Sequence, residues 1–375
     1  MPGPSVIRTL AIENYRSLSN VVTELGSLTV VTGANGSGKT SFYRALRLLA
    51  ELARDGAIPT LAREGGMRSA LHAGQRSASP VAMRLGFASD DYSYAIDLGL
   101  PQATDASGFR LDPQIKTEAV WSGEVLRPAT LVADRQGNRV RTRDADGDWH
   151  TAEWRLGEHE SILSALADPA ETPELYALRE QAKRWRFYDS FRTDADAAVR
   201  RPGLATFTPV LAATGNDLAG ALATIDRIGE ARALRAAVDT AFDGSVLELT
   251  EDEDGTCRIG LRQPGLRRPL GAAELSDGTL RFLLLTAALL SPRPPGLLVL
   301  NEPESSLHPS LMPALAALVA DAAERSQVVV VTHSADLMRA LRPSARTLEL
   351  VKTGGVTTVA GEGLLDAPRW TWPKR

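Results

Sequence analysis

The 375-residue sequence reads as an α/β fold of the P-loop type, and three observations carry that expectation. Gly33-Ala-Asn-Gly-Ser-Gly-Lys-Thr40 stands between a β-branched run and a helical period. Leu297-Leu-Val-Leu-Asn-Glu-Pro-Glu304 is an apolar run ending in carboxylates, and Val328-Val-Val-Val-Thr-His-Ser334 is a second one ending in histidine. Strand, glycine-rich turn and helix, with strand and helix alternating again later, is the order of a parallel nucleotide-binding sheet.

The elements follow in order. Ile7-Arg-Thr-Leu-Ala-Ile12 and Leu28-Thr-Val-Val-Thr32 are short β-branched strands. After Thr40, Phe42, Ala45, Leu46, Leu49 and Ala53 recur at spacings of three and four, the period of an amphipathic helix. The intervening segment matches G-x-x-x-x-G-K-[ST] in the strand-to-helix context that this motif requires. Its glycines let successive N–H groups wrap a phosphate and the helix N-terminus adds its positive end. Lys39 reaches the β- and γ-phosphates, and the Thr40 hydroxyl binds Mg²⁺. The chain has five lysines against 37 arginines, so a lysine at this one spot is informative.

In the middle of the chain the period changes. Val81 to Phe87, Tyr92 to Leu98 and Ile115 to Trp121 alternate as antiparallel strands, and Leu131 to Trp149 reads as hairpins and exposed loops. Ile162 to Arg192 and Asn216 to Phe242 carry a helical period. Within Glu174 to Arg192, Leu175, Leu178, Ala182 and Trp185 form an apolar stripe, with Arg179, Lys183 and Arg186 on another face. Arg184, Phe187, Tyr188, Phe191 and Arg192 lie nearby. Basic residues mixed with aromatics suit nucleic acid, but a solvated helix face is the commoner meaning. Arg200-Arg201 and Arg267-Arg268 are weaker candidates of the same kind.

The last zone holds the reactive groups. Ser276 is placed to cap an apolar helix from Leu280 to Leu290. Glu302, at the carboxyl end of its strand, is a general base able to reach an attacking water. One helix later His333 ends the next strand, at the same sheet edge, where it could contact a γ-phosphate or that water.

Composition excludes other classes. With 42 Lys plus Arg against 46 Asp plus Glu, the net charge of −4 argues against a basic surface spread over the whole molecule. The longest largely apolar run, Phe282 to Leu290, is far short of the roughly 18 residues of a membrane span. The N-terminus lacks a signal-peptide pattern. The single Cys257 allows no internal disulfide. A cytoplasmic protein that contacts no membrane is expected.

Taken together, the segments resemble the ABC-type ATPase heads of the RecF, SMC and OLD-like group of AAA family ATPases. GANGSGKT is similar to Walker A and Leu275-Ser-Asp-Gly-Thr279 to the ABC signature. LLVLNEPESSLHP resembles Walker B plus D-loop, VVVVTHS the His switch, and Ile12-Glu-Asn-Tyr-Arg-Ser-Leu18 the opening I-x-N-F-R-S segment. The resemblance covers about residues 5–100 and 210–350. It implies an ABC-type head with a mixed sheet, an antiparallel β subdomain and a mainly helical insertion. The expected divisions are an N-terminal lobe at 1–100, an insertion at 101–215 and a C-terminal lobe at 216–375.

The same resemblance implies ATP and Mg²⁺ as cofactors. Gly33, Ala34, Asn35, Gly36, Ser37, Gly38, Lys39, Thr40, Ser41 and Arg16 would line the nucleotide. Ser276, Asp277 and Gly278 of a second copy would touch the same triphosphate in a homodimer, with the D-loop residues Ser305, Ser306 and His308 along the seam. Glu302, His333 and Lys39 are the expected catalytic groups, and Thr40 and Asn301 the Mg²⁺ ligands, Asn301 through water. Asn301 departs from the pattern, which has Asp there. Asn301→Asp is therefore expected to tighten the Mg²⁺ dependence. The Q-loop glutamine is open among Gln75, Gln114 and Gln136. The chain is thus expected to be an ATPase coupled to DNA or to a partner effector protein, in repair or anti-phage defence. A nucleotide switch with negligible hydrolysis is the alternative, and a transporter subunit fits less well because LSGGQ and a clear Q-loop are missing.

Overall fold

Alternation and burial explain the first layer. In the computed structural model, which describes residues 6–74, 82–101, 111–144, 146–151, 156–361 and 367–375, contacts divide the chain into two compact units. One comprises Met1–Gly26, Val31–Trp185 and Leu348–Arg375, the other Ser27–Val30 and Arg186–Thr347.

The first unit carries an eight-stranded antiparallel sheet. Its order is Leu18–Glu24, Ile7–Tyr15, Met83–Ser89, Tyr92–Gly99, Gln114–Ser122, Leu131–Gln136, Arg139–Arg143 and Trp149–Thr151. Central strands are buried on both faces, so Leu85, Phe87, Ala95, Ile96 and Val120 are almost completely shielded. Helix Lys39–Asp55 buries Phe42, Leu46 and Leu49, the stripe expected from its period. Farther along the sheet, Trp121 packs edge-on against Trp370 at 5.7 Å. A buried ion pair, Glu118 with Arg135 at 3.6 Å, is supported by hydrogen bonds to Glu118 from Tyr94 Oη at 2.6 Å and from the Ile162 amide at 2.9 Å. The side chains around it thus satisfy a charge that burial alone would penalise.

In the second unit, Arg186–Tyr188, Leu297–Asn301 and Gln327–Val331 form a parallel sheet with Leu298↔Val328 and Tyr188↔Leu300 in register. The Val328 amide donates to Ser27 O at 2.8 Å, which adds the segment Ser27–Val30. Both inner strands read as apolar runs because both of their faces are buried: Val328, Val329, Val330 and Val331 are fully shielded. Helices Leu218–Ile228, Asp277–Leu289 and Met312–Ala323 supply Leu222, Phe282, Leu315 and Val319 to this core. A smaller antiparallel sheet pairs Val246–Glu251 with Thr256–Arg262 and that strand with Gly203–Leu204.

One expectation changes. The helical period was expected to run to Arg192, but helix Pro173–Arg184 stops there and Arg186–Tyr188 is a strand. Leu175, Leu178 and Ala182 satisfy the helix's buried face within its own length. The aromatic residues that follow favour extended backbone and complete the parallel sheet. The candidate nucleic-acid stretch is therefore two elements. Its cations have acidic neighbours: Lys183 donates to Glu180 at 2.9 Å and Arg192 to Asp194 at 2.8 Å. Likewise Arg200 pairs with Asp277 and Arg268 with Glu274. Among the described residues, no helix is long and apolar enough to cross a membrane.

Candidate functional site

In the first unit, the residues from Val31, the end of the strand Leu28–Thr32, run into the loop that opens helix Lys39–Asp55. Glycine is required here for space as well as for torsion. Gly33 has φ +146°, and a Cβ on it would lie 2.3 Å from Leu350 O; Gly38 has φ +110°, and its Cβ would lie 2.5 Å from Thr357 Oγ1. Thr357 braces the loop by donating from Oγ1 to Ser37 O at 2.7 Å. Lys39 is buried and donates to Gly33 O at 2.6 Å and Ala34 O at 3.1 Å. Ser37 Oγ is buried without a hydrogen-bond partner, while Ala34, Asn35 and Gly36 are open to solvent. A cavity of about 560 Å³ opens over Ala34–Ser37 and Glu349–Lys352, a size that suits a small ligand. Curled backbone, a preset lysine and an orphan hydroxyl make a fitting phosphate cradle.

Arg16 and Ser41 belong to the same unit. Arg16 has φ 51° and its guanidinium pairs with Glu64 and contacts Tyr15 Oη, so the cation is held by acidic and phenolic neighbours. Ser41 Oγ lies 3.4 Å from Ser17 Oγ, and Thr40 is exposed. Of the glutamine candidates, Gln114 is buried and hydrogen-bonded to Glu158 and Lys116, and Gln136 is exposed at a strand end. Gln75 lies outside the described residues.

In the second unit, the carboxyl ends of three parallel strands gather the acidic groups. Glu302 follows Leu297–Asn301 with φ 47°, a left-handed conformation that costs a non-glycine residue about 1–3 kcal/mol. Its amide donates to Val331 O at 2.8 Å, which ties it to the neighbouring strand end. His333 Nδ1 lies 3.6 Å from Glu302 Oε1 and 3.4 Å from Glu304 Oε1. Glu302 and His333 are both partly open to solvent, as groups that meet a ligand must be. Glu304 is buried and accepts from Thr332 Oγ1 at 2.6 Å and from the His333 amide at 3.1 Å, so it shapes the turn that carries the histidine.

Asp189 and Arg281, which the sequence leaves unassigned, and Arg200, a weak nucleic-acid candidate, act around this edge. Asn301 Nδ2 donates to Asp189 Oδ1 at 2.7 Å, from just past the strand Arg186–Tyr188. Arg281, buried in helix Asp277–Leu289, donates to Glu302 O at 3.2 Å and Asp189 O at 3.4 Å. Burial pushes its guanidinium below the ordinary value, against the raising effect of Glu304, Asp189 and Glu302. Arg200 grips the signature turn, donating to Leu275 O at 2.7 Å and to Asp277 at 2.6 Å. One signal is visible in the sequence: Arg281 is the lone cation of a helix whose next four residues, Phe282 to Leu285, are all apolar. Asp189 carries none, because the helical period runs on through the strand that positions it.

The signature residues lie at the start of the same helix. Ser276 caps it, accepting from the Thr279 amide at 3.1 Å. A Cβ on Gly278 would lie 2.8 Å from Ser306 O, so this glycine permits the D-loop to approach. Ser306 has φ 63°, the Ser305 amide donates to Glu302 O at 3.0 Å, and His308 caps the short helix that follows.

Both units offer hard oxygen donors suited to Mg²⁺: Thr40 in the first, and Asn301, Asp189 and Glu302 in the second. Among the described residues no group of three or more His, Cys, Asp or Glu is arranged to hold a metal by itself.

Residues 28–339 match the family model described as "AAA domain, putative AbiEii toxin, Type IV TA system". No curated protein matches the sequence. Among solved structures, the chain is similar to an SMC head bound to the C-terminal winged-helix domain of ScpA, with TM-score 0.52 and 15% identity over 96% of this chain and 99% of that one. It is also similar to an Smc head with an extended coiled coil bound to the C-terminal domain of ScpA from Pyrococcus furiosus, with TM-score 0.51 and 14% identity over 97% and 98%. The fold is that of an SMC-like, ABC-type ATPase head.

Proposed function

The chain belongs to the AAA-domain family, and from that premise we propose that it is an Mg²⁺-dependent ATPase whose two copies close head to head around ATP. The observation that carries this reading is Glu302, held at φ 47° at a strand end with His333 Nδ1 3.6 Å away. Strained backbone at a carboxylate beside an imidazole is the arrangement of a group fixed for work on a ligand.

In this reading Lys39 and the loop amides bind the triphosphate, and Thr40 and Asn301 hold the ion, Asn301 through water. Mg²⁺, when bound, offsets the negative charge of the phosphates. Glu302 accepts the proton of the attacking water and His333 senses the γ-phosphate. Ser276, Asp277 and Gly278 present a helix N-terminus to the nucleotide of the second copy. The cycle of closure and opening then acts on DNA or on a partner effector protein.

Glu302→Gln is expected to lower phosphate release by roughly 10²–10⁴-fold while ATP still binds and a dimer accumulates. Phosphate release and light scattering with and without ATP measure this. A monomer with full turnover would overturn the reading. Asn301 favours one second reading, a nucleotide-dependent switch with negligible hydrolysis, which wild-type phosphate release at background level would support.

A further inference from the structure

Asn301 is the one departure from the expected pattern of this strand, and the structure puts a carboxylate beside it. The strand Arg186–Tyr188 pairs in parallel with Leu297–Asn301, Tyr188 opposite Leu300, so the next residues on the two strands, Asp189 and Asn301, are neighbours. An ionised carboxylate only accepts hydrogen bonds, so the 2.7 Å contact must be made by the Asn301 amide nitrogen. This leaves the amide oxygen on the branch away from Asp189.

Asp189 is exposed, and among the described residues no Arg, Lys or His lies within ion-pair distance of its carboxylate. The nearby Arg281 guanidinium meets the Asp189 backbone carbonyl, at 3.4 Å, and the Glu302 carbonyl, at 3.2 Å. It therefore fixes the two strand ends against each other without joining the carboxylate in an ion pair. A carboxylate outside ion-pair distance of Arg281, though close enough to raise that guanidinium, is thus locked to Asn301 through one oxygen at the strand edge that carries Glu302.

We propose that Asp189 supplies the negative charge that Asn301 lacks, so that the hydrogen-bonded pair Asp189–Asn301 does toward Mg²⁺ what a single aspartate at position 301 does in the usual pattern. The inference rests on the ATPase reading above. It also reverses an expectation. With Asp189 in contact, Asn301→Asp sets two carboxylates side by side, and their mutual repulsion offsets what the second charge adds toward a cation.

The test uses the full chain with Mn²⁺ as the probe, followed by electron paramagnetic resonance in the presence of ATP, so no turnover is needed. A parallel titration with fluorescent ATP in EDTA reads nucleotide binding without metal. Asp189→Asn keeps an acceptor for Asn301 and removes only the charge. It is expected to weaken Mn²⁺ binding to the protein–ATP complex roughly 10- to 100-fold with metal-free ATP affinity unchanged. The swap Asn301→Asp with Asp189→Asn moves the charge across one strand and is expected to recover most of the loss. Asn301→Asp alone is expected to give no tighter Mn²⁺ binding than wild type.

Unchanged Mn²⁺ affinity in Asp189→Asn, or a swap variant no better than Asp189→Asn, would overturn the inference while leaving the ATPase reading intact. Wild-type protein that binds ATP neither with nor without the metal would sink the ATPase reading, and this inference with it.

Discussion

The glycine-rich loop of the first unit and the strand-end cluster of the second hold their functional groups by opposite means. In the loop, backbone does the shaping: Gly33 and Gly38 take positive φ where any Cβ would collide, and Lys39 folds back on the loop's own carbonyls. In the cluster, side chains do it: Arg281 ties Glu302 to Asp189, Arg200 ties Leu275 to Asp277, and Glu304 ties Thr332 to His333. A loop shaped by its own backbone needs a short contiguous motif. A cluster shaped by guanidinium and carboxylate clamps can be assembled from residues far apart in sequence, and it tolerates Asn301 because a neighbour adjusts.

This contrast can be broken at three points. Gly33→Ala has the largest expected effect: left-handed strain plus a clash with Leu350 O should cost about 2–5 kcal/mol and abolish ATP binding. Denaturant unfolding and a fluorescent-nucleotide titration check it. Wild-type behaviour would mean that close backbone approach does not shape the loop.

Arg281→Met should behave differently. Losing two hydrogen bonds from a charged group is offset by no longer burying a guanidinium that has no ion-pair partner among the described residues, so stability should stay within about 1 kcal/mol of wild type. Phosphate release should nonetheless fall roughly tenfold or more, because the ends bearing Asp189 and Glu302 are no longer tied. A large drop in melting temperature with unchanged turnover would show that Arg281 serves the core alone.

The smallest effect is expected at the base of the signature turn. The Arg268 guanidinium, and then the Gly271 amide, hold the Glu274 carboxyl at about 2, below its ordinary 4.5. A depressed carboxyl contributes stability above its unfolded value and loses it as pH falls through the folded one. Glu274→Gln should therefore melt slightly below wild type at pH 7, with the difference shrinking as pH falls from about 4.5 toward 2. The pair is exposed, so salt should also shrink it. A gap that widens in acid would contradict this account.

Much of the molecule was legible in advance because its signals are local. The Walker-type loop, the helix Lys39–Asp55, the apolar strands Leu297–Asn301 and Gln327–Val331 and the cap Ser276 each follow from contiguous residues and one period. Two features were not. The strand Arg186–Tyr188 is only three residues long and follows a real helix, so periodicity carried the helix past its end. Asp189 gained meaning only from the parallel register that sets it beside Asn301.

The sequence alone thus determined the groups on offer: a glycine-rich loop with its lysine, a carboxylate at a strand end and a histidine one strand later. Tertiary structure decided which charges stand unpaired and which are spent. Arg200 is engaged by Asp277 from far along the chain, whereas the Asp189 carboxylate meets Asn301 and, among the described residues, no cation at ion-pair distance. The reason is physical: a residue's type is fixed in the chain, but the worth of a charge depends on what lies within a few ångströms of it, and strand pairing sets that distance.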